Sequence, residues 1–270
     1  MTGLEVKAAA KINLSLDVLG KRKDGYHELR MIMQTISLHD SVFIEKSASG
    51  LDIKCESSLV PQNESNIAWK AANLLINRYG IKCGVKLNII KRIPVSAGLA
   101  GGSTDAAAVL RGMNQLFSLG LDNSELRELG VKLGADVPYC VEGGTRLAEG
   151  IGELLTDLPD FSGVDIVLVK PFTEVSTAWV YKNLDMCSIS DTDRPDTELI
   201  CQAIGNRDIV TVAAAMKNVL EKVTIPAHPI VREAKEKLLE AGALGSVMSG
   251  SGPTVFGIFS DSEMAARAFD

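Results

Sequence analysis

The densest chemical signal in the chain is a run of twelve residues, Pro94-Val95-Ser96-Ala97-Gly98-Leu99-Ala100-Gly101-Gly102-Ser103-Thr104-Asp105. Three glycines within five positions remove the Cβ atoms that would keep a backbone from closing around a ligand. Ser103, Thr104 and Asp105 are types that cap helix starts. A helix start offers free N–H groups and a partial positive charge to an anion. The run therefore reads either as a phosphate cradle or as a glycine-rich turn ahead of a well-capped helix. Spacing excludes the two commonest cradles. A Walker loop needs a Lys after its glycines, and none follows here. A dinucleotide fingerprint needs Gly at positions now held by Ala100 and Ser103.

Two further places could complete phosphoryl-transfer chemistry. From residue 11, Ile12, Leu14, Leu16 and Val18 alternate with Lys11, Asn13, Ser15 and Asp17, so Lys11 and Asn13 share one face of a strand. Asp136 lies in Gly134-Ala135-Asp136-Val137-Pro138, an acid flanked by apolar residues in a short turn. A loop that holds a triphosphate supplies N–H donors but no cation, so Mg²⁺ must bridge the phosphates, with a hydroxyl of Ser103 or Thr104 available to it. The acceptor alcohol must also lose a proton. Asp136 is a candidate base, and the Lys11 ammonium a candidate to stabilise the forming alkoxide. Each also has a plain structural reading: a solvated strand face for Lys11 and Asn13, a helix cap or turn for Asp136. Tyr26 and His27, just after Asp24-Gly25, could contact a ligand or simply enter a strand with a packed aromatic.

The elements that must position these residues follow from pattern. Val6–Leu19 reads as strand and Gly20–Gly25 as a turn. Met31–Leu38, Ser41–Lys46 and Leu51–Glu56 read as further strands, broken at His39-Asp40 and Ser47–Gly50. Ser65 or Asn66 caps a helix that stops near Gly80. A strand Val85–Ile93 enters the glycine run and a helix Ala106–Phe117 leaves it. Asp122 and Glu125 make a capping box for a helix to about Leu133; Gly134 ends it and Pro138 forbids its continuation. Val141–Leu147 reads as a short strand pair around Gly143-Gly144. The pattern loosens over Leu154–Gly163, where a domain boundary is expected. Beyond it come a strand Val164–Lys170, a short helix capped by Ser176 or Thr177, and a polar surface segment Met186–Glu198 that is partly mobile or a loop. Helices Arg207–Val219 and Pro229–Ala241 follow, then two strands flanking Ser249-Gly250-Ser251-Gly252-Pro253 and a last helix Glu263–Phe269. The expectation is an α+β chain of two domains, 1–158 and 159–270.

Composition narrows the function. The 270 residues are 46% apolar, enough for a sizeable core in one large or two small domains. A net charge of -6 and the absence of a basic stripe argue against a nucleic-acid partner or a polybasic membrane surface. Cys55, Cys83, Cys140, Cys187 and Cys201 are widely spaced, and with three scattered histidines they form no familiar zinc spacing. Free thiols fit a reducing compartment. No apolar run approaches the ~20 residues of a membrane span, and Met1–Lys7 lack a signal core. A cytoplasmic protein is expected, as a monomer or weak homodimer.

Pro94-x-x-x-Gly98-Leu99-x-Gly101-Gly102-Ser103-Thr104-Asp105-Ala106-Ala107 resembles the signature phosphate loop of the galactokinase, homoserine kinase, mevalonate kinase and phosphomevalonate kinase (GHMP) superfamily. Ala10-Lys11-Ile12-Asn13-Leu14 resembles its N-terminal motif, and Ser249-Gly250-Ser251-Gly252-Pro253-Thr254 its C-terminal glycine motif. The three occur in order and span nearly the whole chain. Asp24-Gly25-Tyr26-His27 and Leu133-Gly134-Ala135-Asp136-Val137-Pro138 are similar to the kinases of 4-diphosphocytidyl-2-C-methyl-D-erythritol. The resemblance implies a β-rich ATP-binding domain of the ribosomal S5 domain 2-like type, followed by a ferredoxin-like α+β domain. It implies transfer of the ATP γ-phosphate to the acceptor's 2-hydroxyl, in the non-mevalonate route to isoprenoid precursors. Lys11 and Asp136 become the catalytic pair, and Asn13 holds the polyol. Tyr26 and Tyr181 sandwich the cytosine, His27 hydrogen-bonds it, and Thr177 touches the acceptor. ATP falls to Pro94, Val95, Ser96, Ala97, Gly98, Leu99, Ala100, Gly101, Gly102, Ser103 and Thr104, with Asn66 near the adenine. Two residues depart from the family pattern. Tyr181 stands where Phe is common, with Trp179 as the alternative stacking ring, and Thr104 stands where Ser is frequent. A sibling kinase of homoserine or a mevalonate-type acid would want cationic contacts rather than Tyr26-His27. A non-catalytic sensor would have lost Lys11 or Asp136.

Overall fold

A computed structural model describes residues 3–270. The chain forms two compact units that interleave along the sequence. The first holds the chain up to Lys11, Ile36–Val95 and Ala100–Gly143; the second holds Ile12–Thr35, Ser96–Leu99 and Gly144–Asp270. Two long strands account for the interleaving: β1 (Gly3–Lys21) and β2 (His27–Ser47), each of which contributes one half to each unit. The division expected at 158/159 is sequential, whereas the compact units are not.

In the first unit the latter half of β2 pairs antiparallel with β4 (Gly84–Ile90), from Ser41 opposite Ile90 to Ser47 opposite Gly84. β3 (Leu51–Cys55) lies parallel to β4. Four helices pack together here: α1 (Ile67–Tyr79), α2 (Gly101–Phe117), α3 (Asn123–Val131) and α4 (Val137–Glu142). Asn66 caps α1 by accepting from the Ala68 N–H, and Asp122 with Glu125 forms the expected capping box on α3. α2 is buried along most of its length. Its Gly112 packs close under β1 and β2: a Cβ there would lie 2.4 Å from Ile44 Cδ1 and 2.9 Å from Val6 Cγ2, so both side-chain ends would have to shift. Ile44, Leu75, Leu87, Ile89 and Tyr139 fill this core.

In the second unit the first half of β2 pairs antiparallel with β5 (Thr145–Gly150), and β5 with β6 (Leu154–Asp157). A separate antiparallel sheet runs β7 (Ile166–Val169), β9 (Val255–Ile258), β8 (Gly245–Met248) in spatial order. The helices are α5 (Thr177–Lys182), α6 (Thr197–Gly205), α7 (Ile209–Ala215), α8 (Glu221–Ala227), α9 (Ile230–Glu240) and α10 (Ser262–Phe269). Phe256, Phe259, Ile32 and Met33 are among its fully buried side chains.

The structure corrects several expectations. His39-Asp40 does not break a strand. Asp40 is buried within β2, and its carboxylate accepts from the Arg92 and Ile93 N–H groups, at 2.5 and 2.8 Å. Ser103, Thr104 and Asp105 do not cap α2. The helix already begins at Gly101, behind Ala100 in the left-handed region at φ 58°, so all three sit inside it. Pro138 starts a helix: it occupies the first turn of α4, where a missing N–H has no partner to lose. Val141 is therefore helical, and the strand begins only at Thr145. The loosened stretch contains β6. The helix expected over 207–219 is α7 alone, because Arg207 takes φ 54° between α6 and α7. α6 and α8 were not anticipated. The polar segment 186–198 folds into two 3₁₀ turns, Met186–Ser188 and Asp191–Asp193. Arg194–Asp17 (2.5 Å) and Lys222–Asp193 (2.7 Å) ion pairs hold it. Among the described residues no helix is long and apolar enough to cross a membrane.

Candidate active site

In the first unit Lys11 and Asp136 meet. Lys11 is 4% exposed on β1, and its Nζ lies 3.8 Å from Asp136 Oδ2. Asp136 occupies the cap position of α4 in a helical conformation and makes no side-chain cap to its own helix. Its carboxylate, about one-third exposed, is thus turned toward Lys11 instead of its own backbone. At 3.8 Å the two form an ion pair, not a direct hydrogen bond. One hydroxyl oxygen can lie within hydrogen-bond reach of both.

The surroundings hold this pair in place. Thr104 Oγ1 donates to the Ala9 carbonyl at 2.7 Å, which ties α2 to β1 two residues before Lys11. That hydroxyl is committed to the backbone; Ser103, half-buried on the same turn, is the member of the pair not tied to Ala9. Cys140, on the next turn of α4, is pushed far up by burial and then by the neighbouring Asp136 charge. It stays a neutral thiol and is no nucleophile. Asn66 spends its amide on structure, accepting from Ala68 N–H and donating to the Pro61 carbonyl.

In the second unit the Ser96–Leu99 part of the glycine run packs against the C-terminal glycine motif. Ser249 Oγ donates to the Gly98 carbonyl at 3.0 Å. Gly98 has φ 74°, and a Cβ on it would lie 2.2 Å from the Ser249 carbonyl oxygen. Ser96 also takes the left-handed region, at φ 53°. Strained backbone in this short stretch is the kind of local cost that functional loops carry. Asn13, fully buried, accepts from the Gly250 N–H at 3.0 Å. Asn218 donates to the carbonyls of Met248 and Gly250, and Thr224 to that of Ser251. Thr177 Oγ1 and Ser251 Oγ are 2.7 Å apart. A cavity of about 540 Å³ opens here, lined by Ser96, Gly98, Glu174, Val175, Ser176, Thr177 and Gly252.

The aromatic candidates separate. His27 and Tyr181 stack with ring centroids 5.1 Å apart. Trp179 instead meets His228 edge-on at 6.4 Å. Tyr26 is 57% exposed. Partial burial and then the Lys21 charge hold His27 below the usual imidazole range, so it is neutral at pH 7 and can both donate and accept a hydrogen bond.

Sequence reasoning did not anticipate Asn218, Thr224 and Glu174, which carry no local motif. It also missed Asp40 and Lys91, whose ammonium pairs with Asp40 and Asp105. A lysine three residues ahead of Pro94 was the available signal.

Comparison with known proteins bears on all of this. The GHMP kinases N terminal domain matches residues 66–144, and the GHMP kinases C terminal model matches residues 200–270. A 4-diphosphocytidyl-2-C-methyl-D-erythritol kinase of Acetivibrio thermocellus is 58% identical over 270 residues, covering 100% of this chain and 95% of the relative. One from Clostridium novyi is 53% identical over 264 residues, covering 98% and 94%. A crystal structure of 4-(cytidine 5'-diphospho)-2C-methyl-D-erythritol kinase superposes with a TM-score of 0.82 at 33% identity, over 98% of this chain and 93% of that one. With both superfamily halves matched and full-length identity above one-half, the chain belongs to the GHMP kinases, and within them to the 4-diphosphocytidyl-2-C-methyl-D-erythritol kinase family.

Proposed function

We propose that this ATP-dependent kinase phosphorylates the 2-hydroxyl of 4-diphosphocytidyl-2-C-methyl-D-erythritol, a step toward isoprenoid precursors, in the cytoplasm. The observation that carries the chemistry is the ion pair of Lys11 and Asp136 at 3.8 Å. Asp136 takes the proton of the acceptor hydroxyl as that oxygen bonds to the γ-phosphorus of ATP. The bond from the γ-phosphorus to its bridging oxygen breaks, and ADP leaves. The Lys11 ammonium holds the acceptor oxygen and offsets its growing negative charge. The run from Pro94 to Thr104 holds the triphosphate through backbone N–H groups at the start of α2. Mg²⁺ would be held chiefly by the phosphates, with Ser103 as the protein hydroxyl that fits, since Thr104 is tied to Ala9. The bound ion supplies neutralisation of phosphate charge. Two functional halves, 1–158 and 159–270, remain the division we propose; the two superfamily matches fall on either side of it.

For the acceptor, Tyr26 and Tyr181 supply the base-stacking surface, His27 a hydrogen bond to the base, Thr177 a hydroxyl, and Asn13 the polyol contact. The Tyr181 stack with His27 supports Tyr181 over Trp179 as the ring that receives the base. Tyr181→Ala is expected to raise the acceptor KM by roughly 5- to 150-fold, equivalent to the ~1–3 kcal/mol of a base–aromatic stack. Trp179→Ala should move it less than threefold by the same reasoning; the reverse ranking would exchange the two assignments. The function itself is tested by coupled ADP release with ATP and three acceptors. Turnover is expected with the cytidyl diphosphate alcohol. Turnover with homoserine or mevalonate instead would reject the acceptor.

A further inference from the structure

The basic turn Lys21-Arg22-Lys23, in the second unit where β1 passes into β2, has no part in the mechanism above. Its backbone fixes which side chains share a face. The Arg22 N–H donates to the Tyr26 carbonyl at 2.8 Å, and the Gly25 N–H donates to the Arg22 carbonyl at 3.2 Å. Arg22 and Tyr26 are therefore opposite each other across the hairpin. One step away from the turn, β1 ends at Lys21 and β2 begins at His27, so these two are opposite as well. Directly opposed side chains lie about 4.5–5.5 Å apart at Cβ, on the same face. Successive residues alternate faces, which puts Arg22 on the other side. His27 in turn stacks on Tyr181, with ring centroids 5.1 Å apart. The fold thus sets an ammonium beside the two rings.

The two cations of this hairpin differ in their commitments. The Arg22 guanidinium is held by Asp24 at 3.0 Å and Glu28 at 2.8 Å. Lys21 is exposed and, among the described residues, forms no ion pair. After partial burial, its charge is what holds the His27 imidazole low. The acceptor has a use for such a cation. Its diphosphate joins the ribose of the cytidine to the polyol, one sugar away from the base. The side chains assigned above to the base and the polyol, Tyr26, Tyr181, His27, Thr177 and Asn13, are all neutral. The cavity of the second unit carries one carboxylate, Glu174, and no cation in its lining. A diphosphate set down among these groups alone would lose hydration without a compensating charge. A lysine at the edge of the base site supplies it, as a compact charge on a flexible stem.

We propose that Lys21 binds the diphosphate of the acceptor, so that the hairpin which presents His27 to the base also selects a cytidine carrying a diphosphate over cytidine alone. The proposal rests on the reading of Tyr26, His27 and Tyr181 as the base site. Lys182 is the rival, since it follows Tyr181 in α5 and is also exposed. Consecutive helical residues are turned about 100° from each other, so Lys182 leaves α5 on a different side from the ring that stacks on His27. Lys21 shares its face with His27 and has no such offset.

The test compares two probes on the full chain, cytidine and cytidine 5'-diphosphate, by calorimetric titration without added magnesium. Wild type should bind the diphosphate roughly tenfold more tightly than cytidine, between the worth of a screened surface pair and that of a charge-assisted hydrogen bond. That preference should shrink as salt rises from about 50 to about 300 mM. Lys21→Ala should remove most of it and leave the affinity for cytidine unchanged, Lys21→Arg should keep it, and Lys182→Ala should not alter it. In turnover, Lys21→Ala should raise the acceptor KM by the same factor with kcat nearly constant, as expected for binding used equally before and at the transition state. Equal affinity of wild type for the two probes overturns the proposal, as does a preference that survives in Lys21→Ala or is lost in Lys182→Ala instead. Tyr181→Ala should weaken both probes alike; if it weakens neither, the base-site reading falls, and this proposal with it.

Discussion

Asp136→Asn is expected to lower kcat by roughly 10²- to 10⁴-fold, the range over which general bases contribute, with the acceptor KM changed only a few-fold. The substitution keeps the shape and the start of α4, because the Asp136 side chain makes no capping hydrogen bond whose loss would unravel the helix. It removes only the ability to take the acceptor's proton and the charge that faces Lys11 at 3.8 Å. An interaction used in the transition state and not in the ground state changes kcat and leaves KM near its starting value. Lys11→Met should act on the same quantity. Because the two residues work as a unit, the double variant should cost little more than either single one. Single-turnover phosphoryl transfer, which separates chemistry from product release, is the measurement. A kcat near wild type in Asp136→Asn would remove Asp136 from the chemistry.

Much of this site was legible in the sequence because its parts are local. A strand with alternating polarity puts Lys11 and Asn13 on one face without knowledge of any partner. Glycines at 98, 101 and 102 announce a loop whose backbone must come close to something. What the sequence could not show was what that something is. Gly98 lies against the Ser249 carbonyl, 151 residues away, and no short-range pattern encodes such a meeting. The same holds for Asp40. Beside His39 it reads as a polar interruption of a strand, yet it is buried because Lys91, Arg92 and Ile93 satisfy it. Pro138 does follow the end of α3, as expected, but the helix it helps to start, α4, reads in the sequence as strand. The helix-breaking property of proline applies inside a helix, and here Pro138 stands at the start of one. The proposed choice of Tyr181 over Trp179, which the sequence leaves open, rests on three-dimensional ring geometry.

Gly98→Ala should be the most damaging single-methyl change in the loop. The residue holds φ 74°, and the new carbon would lie 2.2 Å from the Ser249 carbonyl oxygen and 3.2 Å from that of Gly252. Both obstacles are backbone, so neither can swing aside. Left-handed backbone alone costs a non-glycine residue roughly 1–2 kcal/mol. The clash must also push the loop away from the C-terminal motif and break the Ser249 hydrogen bond. A total of about 3–4 kcal/mol is expected, in the range reserved for strained or overpacked sites. Thermal unfolding should show a clear drop in Tm, and the KM for ATP should rise at least tenfold. Gly25→Ala is the matched control, because Gly25 has φ 91° but open space around its Cβ position. It should lose only the conformational part, roughly 1–2 kcal/mol. Equal losses at both positions would show that crowding at Gly98 is relieved at no cost.

The interleaving of the two compact units limits how such a protein can be cut and recombined. The chain passes from one unit to the other at 11/12, 35/36, 95/96, 99/100 and 143/144, five crossings in all. No single break in the gene separates the units. A fragment ending at residue 158 holds all of the first unit but only residues 12–35, 96–99 and 144–158 of the second. Domain shuffling, which joins intact modules end to end, has no seam here to use. Hybrids between relatives that exchange one unit whole would need all five junctions placed together.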